Sequence, residues 1–345
     1  PAFISMTEFG GRLFGLDHTQ RTIWFSKAMV RGERAQFSLE QTIDVPFDAE
    51  SVFNLDGTLF IFGRNNIGYF MGDGPNDSGD GGGFDQISIM ASDLGCAESR
   101  SLVRTPNGIM FKSPIGFQQL DKSSKVNFVG AEVLSLVAQY PNVRCGLQHP
   151  TDNVVMWACD NGSSGIRLVY NYLFDRWSYD TVNSGQIIQS MVGVGSSLYI
   201  LTTDGSVWIE DSSIGTDNGT FFPAELVFAS EKPAGVEALH RFRCAELIGK
   251  RLGNCDITVS VAFDDADSYT YSQTFQASDL TSNDINFQMY PARQLGRSIR
   301  VKVSDAFPTG AGAAYNNGQG VKFVGIGLEF GAYESINRVD SGKRK

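Results

Sequence analysis

Short runs in which apolar and polar side chains alternate recur along the chain, each closed by Gly, Asn, Asp or Pro, and no segment keeps a helical period for three turns. The pattern predicts an all-β protein. Up to about residue 215 the runs pair into hairpins at Gly11 to Ser26, Gly57 to Gly72, Asn107 to Asp121, Asn153 to Asp180 and Ser196 to Asp211. Each joins an apolar first strand to an aromatic-bearing second strand through a polar tip. Their spacing of roughly 40–50 residues matches propeller blades, whose radial packing removes exposed sheet edges. Residues 1–218 are therefore expected to form a propeller-like domain. About fourteen strands can be discerned, too few for five complete four-stranded blades, so an irregular ring, or one completed by segments the pattern hides, is expected.

From Phe221 the runs lengthen and become more polar: AELVFAS, HRFRCAELIGK, CDITVSVAFD, YTYSQTFQA, INFQMYPAR, RSIRVKVSD and VKFVGIGLEFGAY. Two antiparallel sheets packed face to face suit such a set, so residues 219–345 are read as a separate β-sandwich. Its long Gly-rich stretch, Asp305 to Gly320, reads as a mobile surface loop, and Ser341 to Lys345 as a basic C-terminal tail.

Composition narrows the functions. The 38 glycines and 25 phenylalanines suit many short strands. A formal net charge of −10 argues against gripping nucleic acid, because such binding needs clustered Lys and Arg to displace counterions. Cys96, Cys145, Cys159, Cys244 and Cys255 are odd in number, scattered and without a CxxC, which supports neither a zinc site nor a disulfide framework; they read as reduced, half-buried thiols. No apolar run approaches the ~18 residues of a membrane helix, so no membrane partner is expected for the free chain.

The usual catalytic marks are missing: there is no GxSxG, no Walker A, no HExxH and no GxGxxG between strand and helix. His18, His149 and His240 stand apart in sequence and read as structural. Glycoside hydrolysis needs two carboxylates about 5–10 Å apart, and acid-rich chains supply such pairs by chance. The cluster Asp264, Asp265 and Asp267 reads as a hairpin turn. No catalytic residue and no cofactor is expected. The stretch GDGPNDSGDGGGFD, Gly72 to Asp85, approaches the GGxGxD calcium pattern, with Asp80 and Asp85 as weak ligand candidates, but one copy of a stacked repeat gives no full coordination shell, and no metal is expected. It reads as a flexible, solvated connection that includes Asp73 and Asp77. Trp24, Trp157, Trp177 and Trp208 read as inter-blade packing before they read as a glycan platform.

Outward from that loop the sequence resembles a family of short-tailed (podovirus) bacteriophage proteins, the tail nozzle, tail tube B and head–tail hub or packaged-DNA stabilisation group. The pieces that carry the likeness are Gly72, Asp73, Gly74, Pro75 and Asn76, then Asp93, Gly95 and Cys96, then Pro106 and Gly108 leading into Met110 to Ser113. The start (Gly11 to Ala28) and the end (Val321 to Arg338) are similar as well. The family extends further upstream, which implies a propeller incomplete at its N-terminal side. The resemblance implies a non-enzymatic virion part, assembled in the host cytoplasm: a homo-oligomeric ring, commonly of six, below the portal and adaptor. Other tail proteins would adjoin it, and its channel would retain and then conduct double-stranded DNA without tight binding. The alternatives are a carbohydrate- or receptor-binding tail module and, third, a virion-associated glycosidase.

Overall fold

The computed structural model describes residues 2–332 apart from 77–81, 183–184, 212–215, 218–219, 222, 234–238, 280–283, 293–294 and 307–319. Two compact units divide the chain, Pro1–Glu210 and Asp211–Lys345. The fold is all-β, with propeller-like hairpin repeats followed by an antiparallel β-sandwich.

In the first unit β1 (Phe3–Phe9), β2 (Arg12–Asp17), β3 (Thr22–Ser26) and β4 (Phe37–Asp44) form sheet 1. Sheet 2 holds β5 (Ala49–Leu55), β6 (Thr58–Gly63), β7 (Ile67–Phe70) and β8 (Ser88–Ala91). Sheet 3 holds β9 (Val103–Thr105), β10 (Gly108–Ser113), β11 (Gly116–Asp121) and β12 (Val126–Phe128). The short helix α1 (Leu134–Gln139) then leads to sheet 4, with β13 (Asn142–Gln148), β14 (Val154–Asp160), β15 (Gly165–Asn171) and β16 (Arg176–Asp180). Sheet 5 has three strands, β17 (Ile188–Val194), β18 (Ser197–Thr202) and β19 (Val207–Ile209). Every sheet is an antiparallel meander in chain order. Among the described residues nineteen strands thus stand where about fourteen were expected. Those outside the hairpins read from the sequence are the five first strands, β1, β5, β9, β13 and β17, and the outer strands β4, β8 and β12; β8 and β12 have no buried residue, so they lack the alternation that marks a strand in sequence.

The inner strands explain why the strongest apolar runs barely alternate. In β6, Leu59 and Ile61 pack toward sheet 1 while Phe60 and Phe62 pack toward sheet 3. Met110 of β10 faces sheet 4 while Ile109 and Phe111 face sheet 2. Val155, Trp157 and Cys159 of β14 turn to sheet 3, and Met156 and Ala158 to sheet 5. A strand buried on both faces has no polar side to alternate with. The sheets are therefore stacked like blades, with an apolar cluster in each of the four gaps between consecutive sheets. First strands lie beside first strands, β1 by β5, β9 by β13 and β13 by β17. The hairpin β5–β6 turns through Asp56 and Gly57, both at positive φ (48° and 83°), the backbone of the two-residue turn that fits the strands' twist.

The second unit opens with a short ribbon, β20 (Thr216–Asp217) and β21 (Thr220–Phe221). One sheet orders β22 (Glu225–Val227), β28 (Ile299–Ala306), β24 (Asp256–Phe263) and β25 (Tyr271–Phe275). The other centres on β23 (His240–Arg251), flanked by β26 (Asp284–Met289), β27 (Leu295–Gly296) and β29 (Val321–Ala332). Their inner faces interdigitate: Ile257, Val259 and Val303 come from one sheet, and Phe242, Leu247 and Ile285 from the other. Most of the Asp305 to Gly320 loop and all of the basic tail lie outside the described residues.

Candidate functional site

The family-motif residues fall on two packing junctions of the first unit. Gly72, Asp73, Gly74 and Pro75 follow β7, and the chain returns at Gly82. This segment is not the wholly solvated connection that its composition suggested. Phe84 reaches into the core of sheet 1, its ring centroid 5.1 Å from Phe25, 5.3 Å from Phe14 and 5.5 Å from Phe70. A Cβ on Gly74 would stand 2.4 Å from the Phe84 ring, and one on Gly72, at φ 112°, would stand 2.9 Å from the Gly83 carbonyl. Arg12, itself buried, donates to the Pro75 carbonyl at 2.5 Å and to the Ser26 carbonyl at 3.0 Å. The aromatic at the end of GDGGGF was the signal for this anchor. Asp73 and Asp85 are exposed, and the Asp85 N–H donates to the Met71 carbonyl at 2.8 Å. Asp77 and Asp80 lie outside the described residues. Among the described residues no three metal-ligating side chains converge.

The second junction joins sheets 2 and 3. A Cβ on Gly95 would stand 2.0 Å from the Gly63 carbonyl, which also accepts the Cys96 N–H at 2.8 Å. Cys96 is fully buried, with Sγ 3.1 Å from the Glu98 carbonyl, and burial pushes its thiol up to about 12. Pro106 is exposed in the β9–β10 turn, and Gly108 beyond it packs against the Leu120 carbonyl. Asp93 is exposed. Gly72, Gly74, Gly95, Cys96 and Gly108 are thus close-packing positions, whereas Asp73, Asp93 and Pro106 are exposed, and no reactive groups converge among the described motif residues.

Other chemistry-bearing residues are dispersed. Burial pushes the Cys159 thiol to about 12 and the Cys255 thiol to about 11. Four of the five cysteines are buried, deeper than the half-burial expected, and all five are free thiols. Asp264 and Asp265 sit at positive φ in a turn. Hydrogen bonds from Lys232, Ser230 and Ser298 pull the Asp265 carboxyl down to about 2. Every indole N–H is bonded: Trp24 to Asp17, Trp157 to the Ser101 carbonyl, Trp177 to the Val129 carbonyl and Trp208 to Thr202. No helix of the structure is long and apolar enough to cross a membrane.

What the first unit leaves open are the outer faces of its two end sheets. Sheet 5 packs on sheet 4 through Ile188, Met191, Leu198 and Ile200. On its other face Val192, Tyr199 and Ile209 form one cross-strand row, and Ser190, Leu201 and Val207 form the next. Val192 is 53% exposed, Ile209 55% and Val207 66%. On sheet 1 the row Met6, Gly15, Trp24 and Thr42 faces away from sheet 2, and Met6 and Leu39 are exposed. Among the described residues no apolar cluster joins sheet 5 to sheet 1. Such faces can bind another apolar surface.

No family model and no curated protein matches the sequence. Among solved structures, an exo-β-1,3-galactanase from Phanerochaete chrysosporium with galactose is similar over 94% of this chain and 95% of its own, at 9% identity and a TM-score of 0.32. A glycoside hydrolase family 43 arabinoxylan arabinofuranohydrolase from Bacillus subtilis covers 94% of this chain and 78% of its own, at 9% identity and a TM-score of 0.19. These neighbours are carbohydrate-active enzymes. The expectation that the chain is not an enzyme is corrected accordingly: with glycoside hydrolases among its structural matches, that exclusion is withdrawn. At such identities and TM-scores the likeness carries over neither a substrate nor a catalytic residue.

Proposed function

We propose that this chain is a ring-forming component of a short-tailed bacteriophage tail, a nozzle or hub beneath the portal and adaptor whose channel retains and then conducts the genome. The observation that carries the reading is the open apolar face of sheet 5, where Val192, Val207 and Ile209 are exposed. Every other sheet face in the first unit that bears a large apolar cluster is covered by the next sheet, and a part built for assembly leaves its terminal faces for a neighbour. The quoted motif residues, Gly72 to Pro75 and Gly95 to Gly108, support the reading as sequence resemblance. Net charge supports it too: six copies at −10 each carry about sixty negative charges, so a polyanion is repelled from most of such a ring.

Fluorescence anisotropy with labelled duplex DNA tests the conduit. Weak binding is expected even at low salt. Tight binding with a steep dependence on salt would overturn it, because that behaviour needs many phosphate contacts from a basic surface.

A second reading, a carbohydrate- or receptor-binding tail module, is favoured by the exposed rings of Phe174, in the β15–β16 turn, and Tyr179, on β16. Uncovered aromatic faces are where sugars stack. A glycan array probed with the full chain decides between the two readings.

A further inference from the structure

The first strands of sheets 4 and 5 and the 3₁₀ turn Ser99–Ser101 enclose two adjoining hollows. One, about 390 Å³, is lined by Glu98, Ser99, Arg100, Asn142, Val143 and Arg144. The other, about 440 Å³, is lined by Arg100, Arg144, Cys145, Gly146, Gln189 and Ser190. Arg100 and Arg144 line both, so the two hollows adjoin through these two residues.

The local charge runs against that of the molecule. Arg144 is held side-on by Asp160, with Nε donating to Oδ2 at 2.6 Å and Nη2 to Oδ1 at 3.3 Å. Asp160 is fully buried, and Arg144, about a third exposed, lines both hollows. Lys112 donates to the Pro141 carbonyl, and its ammonium lies 4.0 Å from Glu98. Arg100 is exposed, and among the described residues it has no ion-pair partner. Three cations and two carboxylates leave the depression net positive on a chain of net charge −10. Ser99, Asn142, Gln189 and Ser190 ring the guanidiniums with neutral donors. A rigid guanidinium fork beside hydroxyl and amide donors is the donor set that matches a tetrahedral oxyanion.

We propose that this depression binds a phosphate-sized oxyanion, held between Arg100 and the free edge of Arg144 with Gln189 completing the shell. Arg144 is oriented for the role by Asp160, whereas Arg100 supplies the uncommitted charge. The site is independent of the tail reading: one oxyanion position amounts to about one phosphate contact, too few for tight duplex binding.

Isothermal titration of the full chain with inorganic phosphate, against sodium chloride at equal ionic strength, tests the site. Saturable phosphate binding is expected, at least tenfold weaker in Arg100→Gln and abolished in Gln189→Glu, which places a carboxylate at the hollow. Glucose 6-phosphate and glucuronate, run in parallel, report whether the oxyanion arrives on a phosphate ester or a carboxylate, and tighter binding of either by an Arg100-dependent mode also upholds the site. No saturable binding of any of the three, or equal affinity in Arg100→Gln, would overturn it. Both substitutions are at exposed positions, and an unchanged melting curve certifies that the variants are folded.

Discussion

Replacing Trp157 by alanine is expected to cost about 3–5 kcal/mol of stability, the range for deleting a large buried aromatic. Trp157 is fully buried in the gap between sheets 3 and 4. Its indole lies 4.5 Å from the Phe117 ring and 5.6 Å from Trp177, and its N–H donates to the Ser101 carbonyl at 2.8 Å. Alanine leaves a cavity where three aromatic rings met and orphans a buried carbonyl. Urea unfolding followed by circular dichroism reads the loss. Trp157→Phe, which refills most of the volume without the hydrogen bond, should fall between wild type and alanine. A Trp157→Ala midpoint within about 1 kcal/mol of wild type would mean that sheets 3 and 4 are not packed as described.

The second large effect is electrostatic. Arg144→Met is expected to cost about 3–5 kcal/mol at neutral pH, because it leaves the Asp160 carboxylate buried without its cation. Burial alone would raise the Asp160 carboxyl. The Arg144 guanidinium, the Gly162 N–H at 2.8 Å and the Asn142 amide outweigh burial and hold it below the usual carboxylate value. A carboxyl lowered on folding contributes stability above its unfolded value near 3.8, and that contribution is lost as pH falls through the folded value. Wild type should therefore weaken on acidification more than Arg144→Met, and the gap between their melting temperatures should narrow from pH 7 to about pH 3. A gap independent of pH would show that the loss is one of packing alone.

Much of the fold could be read from the chain, and the failures have a common physical cause. The apolar runs of Gly57 to Gly72 and the polar tip between them located the β6–β7 hairpin from turn chemistry and hydrophobicity, both local properties. The outer strands β8 and β12 escaped because an exposed edge strand imposes no pattern on its side chains. Gly74 and Gly95 stood out as motif residues, but the reason for them is not local. The Phe84 ring and the Gly63 carbonyl that crowd them arrive from elsewhere in the chain. The cationic depression was invisible for the same reason, since Arg100, Arg144 and Gln189 sit on three elements whose meeting depends on the stacking of sheets. Which rows of sheet 5 are exposed was likewise hidden, because it required the register of β17 to β19.

Sedimentation equilibrium of the full chain over a wide range of concentration, compared with a Val207→Lys/Ile209→Lys double variant, tests the central claim that the end sheets are assembly surfaces. Both side chains are exposed, so the variant should fold with an unchanged melting curve. The account predicts a mass that rises with concentration toward a closed ring of copies in the wild type, and a monomer throughout in the variant. A wild type that remains monomeric at every concentration, indistinguishable from the variant, would contradict it.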